Sequence, residues 1–341
     1  MEKAKSTNIE DDGPSTESGC AQRLSVVSPC FNESEGIESF YNELKKVLLT
    51  LKMEHEIIFV DDGNDCTLDI LNVIARTDSS VKVYAFSRNF GHQIALSAGL
   101  DVATGDAVIV MDSDLQHPPS LIPEMVENWK KGYEIVSAVR KDTEGASFLK
   151  RFTSHLFYRI INIMSDIEIP DGTADYFLLS RKAHQTLKRM PERHRFLRGM
   201  ISWLGMKRIL IPYTAPKRVA GTSKYSVWKL FSLAIEAILS FSSMPLRLAT
   251  RCGLLVSLFG FCYLVWILFR YFLVHDLVSG WRSLICVVLI LGGIQLMFIG
   301  LIGQYVAKIF EEVKNRPLYV FKQTPSSVME KGRQSYDGGS I

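Results

Sequence analysis

Residues 108–120 read VIVMDSDLQHPPS, and the rest of the chain is arranged around them. Val108, Ile109, Val110 and Met111 form a short continuous apolar run, the pattern of a buried parallel strand. The run stops at Asp112, Ser113 and Asp114. Two carboxylates one residue apart repel each other unless a cation lies between them. At the carboxyl end of a strand they stand where open α/β sheets place ligands. A hard divalent ion carrying diphosphate oxygens suits such a pair. Asp, Ser and Pro are also common in solvated turns, so the tripeptide by itself leaves a plain turn open as the other reading.

Upstream, apolar runs at 24–28, 56–60 and 81–86 alternate with helical periodicity at about 36–51, 67–75 and 93–103. Downstream, a helix at about 121–131 precedes a run at 134–139. The upstream runs end in polar or acidic residues: Pro29-Cys30-Phe31-Asn32-Glu33, Asp61-Asp62-Gly63-Asn64 and Ser87-Arg88-Asn89-Phe90-Gly91-His92. The alternation predicts an α/β domain with a mostly parallel sheet and helices on both faces. No G-x-G-x-x-G follows the first run and no G-x-x-x-x-G-K-[ST] occurs, which weakens dehydrogenase and P-loop readings.

Composition narrows the class further. The 341 residues are 22% charged and 47% hydrophobic, so the bulk is globular. A net charge of +3 gives no argument for nucleic acid. Six cysteines include no C-x-x-C pair, which argues against a zinc site or a disulfide framework. Residues 1–22 are polar and rich in Ser and Gly, the composition of a disordered tail.

Beyond residue 140, a helix over 150–164 carries Lys150, Arg151, His155 and Arg159. A further strand is expected at 176–179, led in by Asp175. Arg193, His194, Arg195 and Arg198 form a basic cluster whose plain reading is a solvated face. A basic loop at 216–224 precedes an amphipathic segment at 225–246, which suits either a membrane interface or a core helix. Two apolar stretches, 252–273 and 284–306, each reach the ~20 residues that span a bilayer. A pair of buried core helices is the other reading. Arg247 and Arg251 before the first stretch, and Lys308, Lys314 and Arg316 after the second, place both termini in the cytoplasm by the positive-inside rule. The expected layout is a tail at 1–22, a catalytic domain at 23–223, an interfacial helix at 224–250, spans at 251–273 and 283–307, and a cytoplasmic tail at 308–341.

The ordered motifs resemble a known family. Pro29-x-Phe-Asn-Glu33, Val60-Asp-Asp-Gly63, Ser87-Arg-Asn-Phe-Gly91, Ala95-Leu-Ser-Ala-Gly99 and Asp112-Ser-Asp-Leu-Gln116 look like the inverting GT-A glycosyltransferases of family 2 that build polyisoprenyl-phosphate sugars. Gly303-Gln-Tyr-Val and Glu311-Glu-Val-Lys-Asn-Arg-Pro-Leu-Tyr319 are similar to the bactoprenol-phosphate glucosyltransferase branch. The likeness covers about residues 24–320. It implies a Rossmann-like GT-A fold, a nucleotide diphosphate sugar donor (UDP-glucose first), a polyprenyl phosphate acceptor, a bilayer location and a homo-oligomer. It assigns Pro29, Phe31, Glu33, Asp61 and Asp62 to the base and ribose pocket. Asp112 and Asp114, with Gln116, would hold Mg²⁺ or Mn²⁺. Arg140, Lys150, Ser154 and Arg218 would contact donor or lipid phosphates. Asp175, Asp114 and Arg218 would carry catalysis.

Two positions depart from that pattern. Phe177 stands where the family's Asp-Phe-Arg-Leu-like segment has Arg, so another residue, such as Arg181, would have to supply the guanidinium. His117 stands where the branch often has Asp. Related alternatives are a GDP-mannose-dependent polyprenyl-phosphate mannose synthase and a processive polysaccharide synthase, whose Q-x-x-R-W acceptor motif is absent from this sequence. A non-catalytic nucleotide-sugar-binding membrane protein is a further alternative.

Overall fold

The computed structural model describes residues 22–140, 170, 172–193, 195–214, 244–274 and 281–325. The expected helix at 150–164, the basic loop at 216–224 and most of the expected interfacial helix lie outside the described residues. So do Lys150, Ser154 and Arg218.

Strands β1 (Arg23–Cys30), β2 (Glu54–Asp61), β3 (Val81–Phe86) and β4 (Ala107–Val110) fall on the apolar runs. Between them lie α1 (Ile37–Thr50), α2 (Thr67–Thr77) and α3 (His92–Val102). Then come α4 (Ile122–Lys130), β5 (Ile135–Arg140), β6 (Thr173–Ser180), α5 (Arg181–Lys188), α6 (Leu197–Trp203) and β7 (Arg208–Tyr213). Two long helices, α7 (Met244–Val274) and α8 (Trp281–Val313), precede a short β8 (Phe321–Gln323).

The eight strands form one sheet in the order β7-β5-β6-β4-β1-β2-β3-β8. β1 pairs in parallel with β2 and β4, β2 with β3, and β5 with β7. The sheet is nonetheless mixed rather than mostly parallel. β6 runs antiparallel between β4 and β5, with Phe177 opposite Val110 and Leu178 opposite Val136. An apolar run of this kind reads the same in either direction, so its sense is set by the chain that precedes it. The antiparallel direction brings the start of β6, and Asp175 with it, to the carboxyl ends of β1, β2 and β4.

Helices cover both faces, as expected. Ile37, Phe40, Leu44 and Leu48 recur at helical spacing on α1 and pack with Phe59, Ile109 and Met125 in one core. Leu96 and Ala98 of α3, Ala183 of α5 and Met200 of α6 pack with Val27, Val110 and Phe177 in the other. Ser180 caps α5, its hydroxyl accepting the Ala183 N–H at 3.2 Å.

Two observations bear on the C-terminal half. Among the described residues one helical stretch, Ile290–Val313, is long and apolar enough to cross a membrane; Ala249–Tyr263 of α7 is apolar but shorter. Large apolar side chains on both helices are exposed, among them Leu254, Phe259, Leu296 and Ile299. In addition, part of the segment expected as a cytoplasmic tail, residues 308–341, returns to the sheet. β8 pairs antiparallel with β3 at its outer edge.

Candidate active site

The loops after β1, β2 and β4 meet at one end of the sheet. The Ser113 hydroxyl donates to the Pro29 carbonyl at 2.9 Å, tying the aspartate pair to the end of β1. Asn32 adopts a left-handed backbone (φ 57°), and its side-chain oxygen accepts the Asn64 N–H at 2.9 Å. A Cβ on Gly63 would stand 2.8 Å from the Asn32 backbone nitrogen, so only glycine lets these two loops close. Phe31 projects outward, half exposed, at the rim. The Glu33 N–H donates to the Thr67 hydroxyl at 3.0 Å, anchoring the loop to α2.

Asp61 and Asp62 are both buried but do different things. Asp61 accepts only a long bond (3.3 Å) from the Gly63 N–H, and burial, with Asp65 and Asp62 nearby, pushes its carboxyl up to about 6. Asp62 spends both oxygens on backbone, accepting the Phe90 N–H at 2.7 Å and the Gly91 N–H at 2.8 Å. It therefore fixes the turn that leads into α3, a role that no spacing in the sequence indicates.

Asp112 lies at the centre of the cluster. Its Oδ1 is buried without a hydrogen-bond partner. Burial pushes its pKa up to about 7, with Asp175 and Asp114 adding to the rise and His92 opposing it. Asp114 accepts the Gln116 N–H at 3.0 Å, and Leu115 between them is left-handed (φ 59°), so the turn is wound tightly. The Gln116 side-chain oxygen accepts from Arg140 at 3.4 Å, which places the end of β5 beside this turn. Among the described residues no three His, Cys, Asp or Glu side chains are grouped as a metal site. A hard ion needs no such group. Mg²⁺ keeps several waters and takes one or two carboxylates plus substrate phosphates. The Asp112 oxygen that accepts no hydrogen bond, its raised pKa and the oxygen donors of Asp114 and Gln116 fit a divalent cation.

Asp175 faces Asp112 from β6 and is fully engaged. Arg198 of α6 grips it with two parallel bonds of 2.8 Å, and the Gln93 amide donates to it at 3.0 Å. Burial opposes ionisation, yet the Arg198 and His92 contacts outweigh it and hold Asp175 well below the usual carboxylate range. His92, the first residue of α3, has its Nε2 3.4 Å from Asp112 Oδ1 and 3.7 Å from Asp175 Oδ2. Burial lowers its pKa, but the two carboxylates win and raise it.

Arg198, Gln93 and His92 were not among the expected site residues. Arg198 stood in a basic cluster that reads as a solvated face. His92 and Gln93 open a helix whose direction only the fold reveals. The guanidinium missing at Phe177 is not replaced by Arg181. Arg181 pairs with Asp106 at 3.0 Å, at the opposite end of β6, and Phe177 is buried. Arg198 is the guanidinium that reaches Asp175.

His117 also acquires a definite place. It is buried, stacks on Tyr176 at 5.0 Å between ring centroids, and accepts the Asp112 N–H on Nδ1 at 2.9 Å. Burial holds its pKa down at about 3, so the 3.5 Å approach of Nδ1 to Asp112 Oδ2 is no ion pair. The imidazole is a neutral bracket for the aspartate turn.

A family model described as glycosyl transferase family 2 matches residues 25–188. The uncharacterized glycosyltransferase YkcC of Bacillus subtilis (strain 168) is 42% identical, over 89% of this chain and 94% of its own. The SfII prophage-derived bactoprenol glucosyl transferase of Shigella flexneri is 42% identical, over 89% of this chain and 98% of its own. Among solved structures, glucosyl-3-phosphoglycerate synthase from Mycobacterium tuberculosis, in complex with Mn²⁺, UDP-glucose and phosphoglyceric acid, aligns with a TM-score of 0.43 and 18% identity, over 68% of this chain and 80% of its own.

Proposed function

Because the chain belongs to glycosyl transferase family 2 and is a glycosyltransferase, we propose that it transfers glucose from UDP-glucose to a polyprenyl phosphate, with inversion, at the cytoplasmic face of a membrane. The observation that carries this reading is similarity to bactoprenol glucosyl transferases along nearly their whole length, helices included.

The reaction makes one bond and breaks one. A lipid phosphate oxygen bonds to the anomeric carbon from the face opposite the diphosphate, and the diphosphate departs with the bonding pair. A phosphate monoester has its second pKa near ~6 and is already mostly ionised. No strong base is needed, and Asp175, pinned by Arg198 and held ionised, is not built as one. In this reading Asp175 and Gln93 orient Arg198 toward the incoming phosphate, and Arg140 at the end of β5 adds positive charge. Asp61, Glu33, Pro29 and Phe31 border the nucleotide. Asp112, Asp114 and Gln116 would hold Mg²⁺ or Mn²⁺, which when bound neutralises the charge of the departing diphosphate. Lys150, Ser154 and Arg218 are proposed as further phosphate contacts on the resemblance alone.

The path of the chain supports two membrane crossings. β8 follows α8 and joins the same sheet as β1, so the segment between β7 and β8 begins and ends on one side of any bilayer. A single crossing by Ile290–Val313 would strand β8 on the wrong side. α7, with its exposed apolar surface, supplies the second crossing, and the flanking Arg and Lys residues favour a cytoplasmic catalytic domain.

The test is incubation of the detergent-solubilised full chain with Mg²⁺, polyprenyl phosphate and labelled UDP-glucose. A lipid-extractable glucosyl monophosphate is expected. Label appearing only from GDP-mannose would change the donor, a growing polymer would point to a processive synthase, and no transfer from any donor would sink the enzyme assignment.

A further inference from the structure

We infer that the last residues of α8 and the segment that follows it, residues 312–323, are a positioning element of the active site and not merely a tether. It makes two clamps, one on each loop that delivers a side chain to Asp175.

The first clamp holds the turn between β3 and α3. The Val320 carbonyl accepts the Ser87 N–H at 2.9 Å, and β8 extends the pairing along β3. Phe321 and Tyr319 both stack on Phe86, at 5.7 and 5.4 Å between ring centroids, and Phe86 in turn meets Phe90 edge-on at 5.2 Å. The Tyr319 hydroxyl donates to Asp101 at the far end of α3 at 3.0 Å. The turn is thus held from inside by Asp62, through the Phe90 and Gly91 amides, and from outside by the aromatic residues of the returning chain. It opens directly into His92 and Gln93.

The second clamp holds the approach to α6. Glu312 at the end of α8 accepts the Arg193 N–H at 2.9 Å, and the Arg316 carbonyl accepts from the Arg193 guanidinium. A few residues on, the Leu197 N–H donates to the Gln93 side-chain oxygen at 3.2 Å, and Arg198 grips Asp175. One Gln93 amide therefore joins the two clamped loops, one end on Leu197 and the other on Asp175.

The consequence is that the cytoplasmic end of α8 sets the geometry of the His92, Gln93 and Arg198 group. Side-chain packing of this kind fixes catalytic groups more closely than loops alone can. The catalytic part of this inference rests on the proposed transferase reading; the structural part does not.

Amide hydrogen exchange on the full chain in detergent, without substrate, reads the structural part directly. In a Tyr319→Ala/Phe321→Ala double variant, exchange at Phe90 and Gly91 should quicken by about tenfold or more, while β1 and β2 keep their protection. Glu312→Ala should do the same at Leu197, and Glu312→Gln, which keeps an acceptor oxygen, should restore protection. Glucosyl transfer should fall about tenfold in kcat for each loosened variant, with the KM for UDP-glucose little changed. Unchanged exchange at Phe90, Gly91 and Leu197, or exchange rising equally throughout the sheet, would overturn the positioning role. Localised loosening with full turnover would overturn its catalytic meaning. A wild-type chain without transfer would count against the function, not against the clamps.

Discussion

Glu56 and Asp61 lie on the same strand, β2, and point to opposite fates for a buried carboxylate. Glu56, near the amino end, is fully buried and accepts from the Ser25 hydroxyl at 2.6 Å, the Thr104 N–H and hydroxyl at 2.8 Å each, and Lys82 at 2.6 Å, with Arg23 at 3.2 Å. Burial raises its pKa, but these donors outweigh it and bring it down to about 2. A Cβ on Gly105 would stand 2.7 Å from the Ser25 nitrogen, so the loop that delivers Thr104 also requires glycine. At the carboxyl end, Asp61 and Asp112 rise to about 6 and about 7, and Asp112 Oδ1 accepts no hydrogen bond, with His92 Nε2 3.4 Å away. One end of the sheet satisfies its charge from within. The other holds charge in readiness for something the chain does not itself provide.

The sharpest way to break this contrast is to neutralise Asp112. Asp112→Asn should cut transfer on the order of 10²- to 10³-fold, because on the proposed reading a charge that serves the leaving diphosphate is lost. Thermal stability should hold or rise, since an ill-satisfied carboxylate is removed. A large fall in melting temperature with transfer retained would show that Asp112 belongs to the structural end.

Glu56→Gln makes the converse cut. It leaves Lys82 and Arg23 without their counter-charge and should cost about 3 kcal/mol of folding stability, moderated because both cations are partly exposed. The folded fraction should keep its kcat. Denaturant unfolding and single-turnover transfer on one preparation would separate the two effects.

The difference in unfolding free energy between wild type and each variant should also slope oppositely with pH. Glu56 has a folded pKa near 2, below its ordinary 4.5, so its stabilisation is complete above 4.5 and fades as pH falls towards 2. Asp61 is raised from 3.8 to about 6, so its ionised form penalises the fold fully above 6, and the penalty disappears as pH falls towards 3.8. Asp61→Asn should therefore gain on wild type as pH rises from 4 to 7, in metal-free protein, while the deficit of Glu56→Gln grows from pH 2 to 4.5. Parallel curves would mean that the two ends of β2 are not electrostatically distinct.

Much of the amino-terminal half was legible because its signals are local. Four apolar runs alternating with helical periodicity gave β1 to β4 and the helices on both faces, and the aspartates expected at strand ends lie together in the candidate site. What escaped depends on partners distant in sequence. The direction of β6 is invisible in a symmetric apolar run. β8 spans three residues, too few for any periodicity. Arg198 and Gln93 matter only because β6 runs antiparallel and carries Asp175 to them. Asp62 resembles a ligand-facing carboxylate until its two backbone donors are seen.

His117 shows that the ready end of the sheet still needs internal support, and it gives the mildest test of the contrast. Its Nδ1 is the acceptor for the Asp112 N–H, and its ring lies between Tyr176 and Tyr213, at 5.0 and 6.0 Å. His117→Phe keeps the aromatic packing and removes only the acceptor, which strands a backbone donor at a cost of about 1–2 kcal/mol. The Asp112 turn should relax, so the concentration of Mn²⁺ needed for half-maximal transfer should rise a few fold, by roughly the factor that one lost supporting bond allows. His117→Asn, which can offer an amide oxygen of its own, should recover part of both losses. If His117→Phe instead matched Asp112→Asn in lost transfer at saturating metal, the imidazole would be acting on the substrate, and the carboxyl end would contain one more working group than its hydrogen bonds suggest.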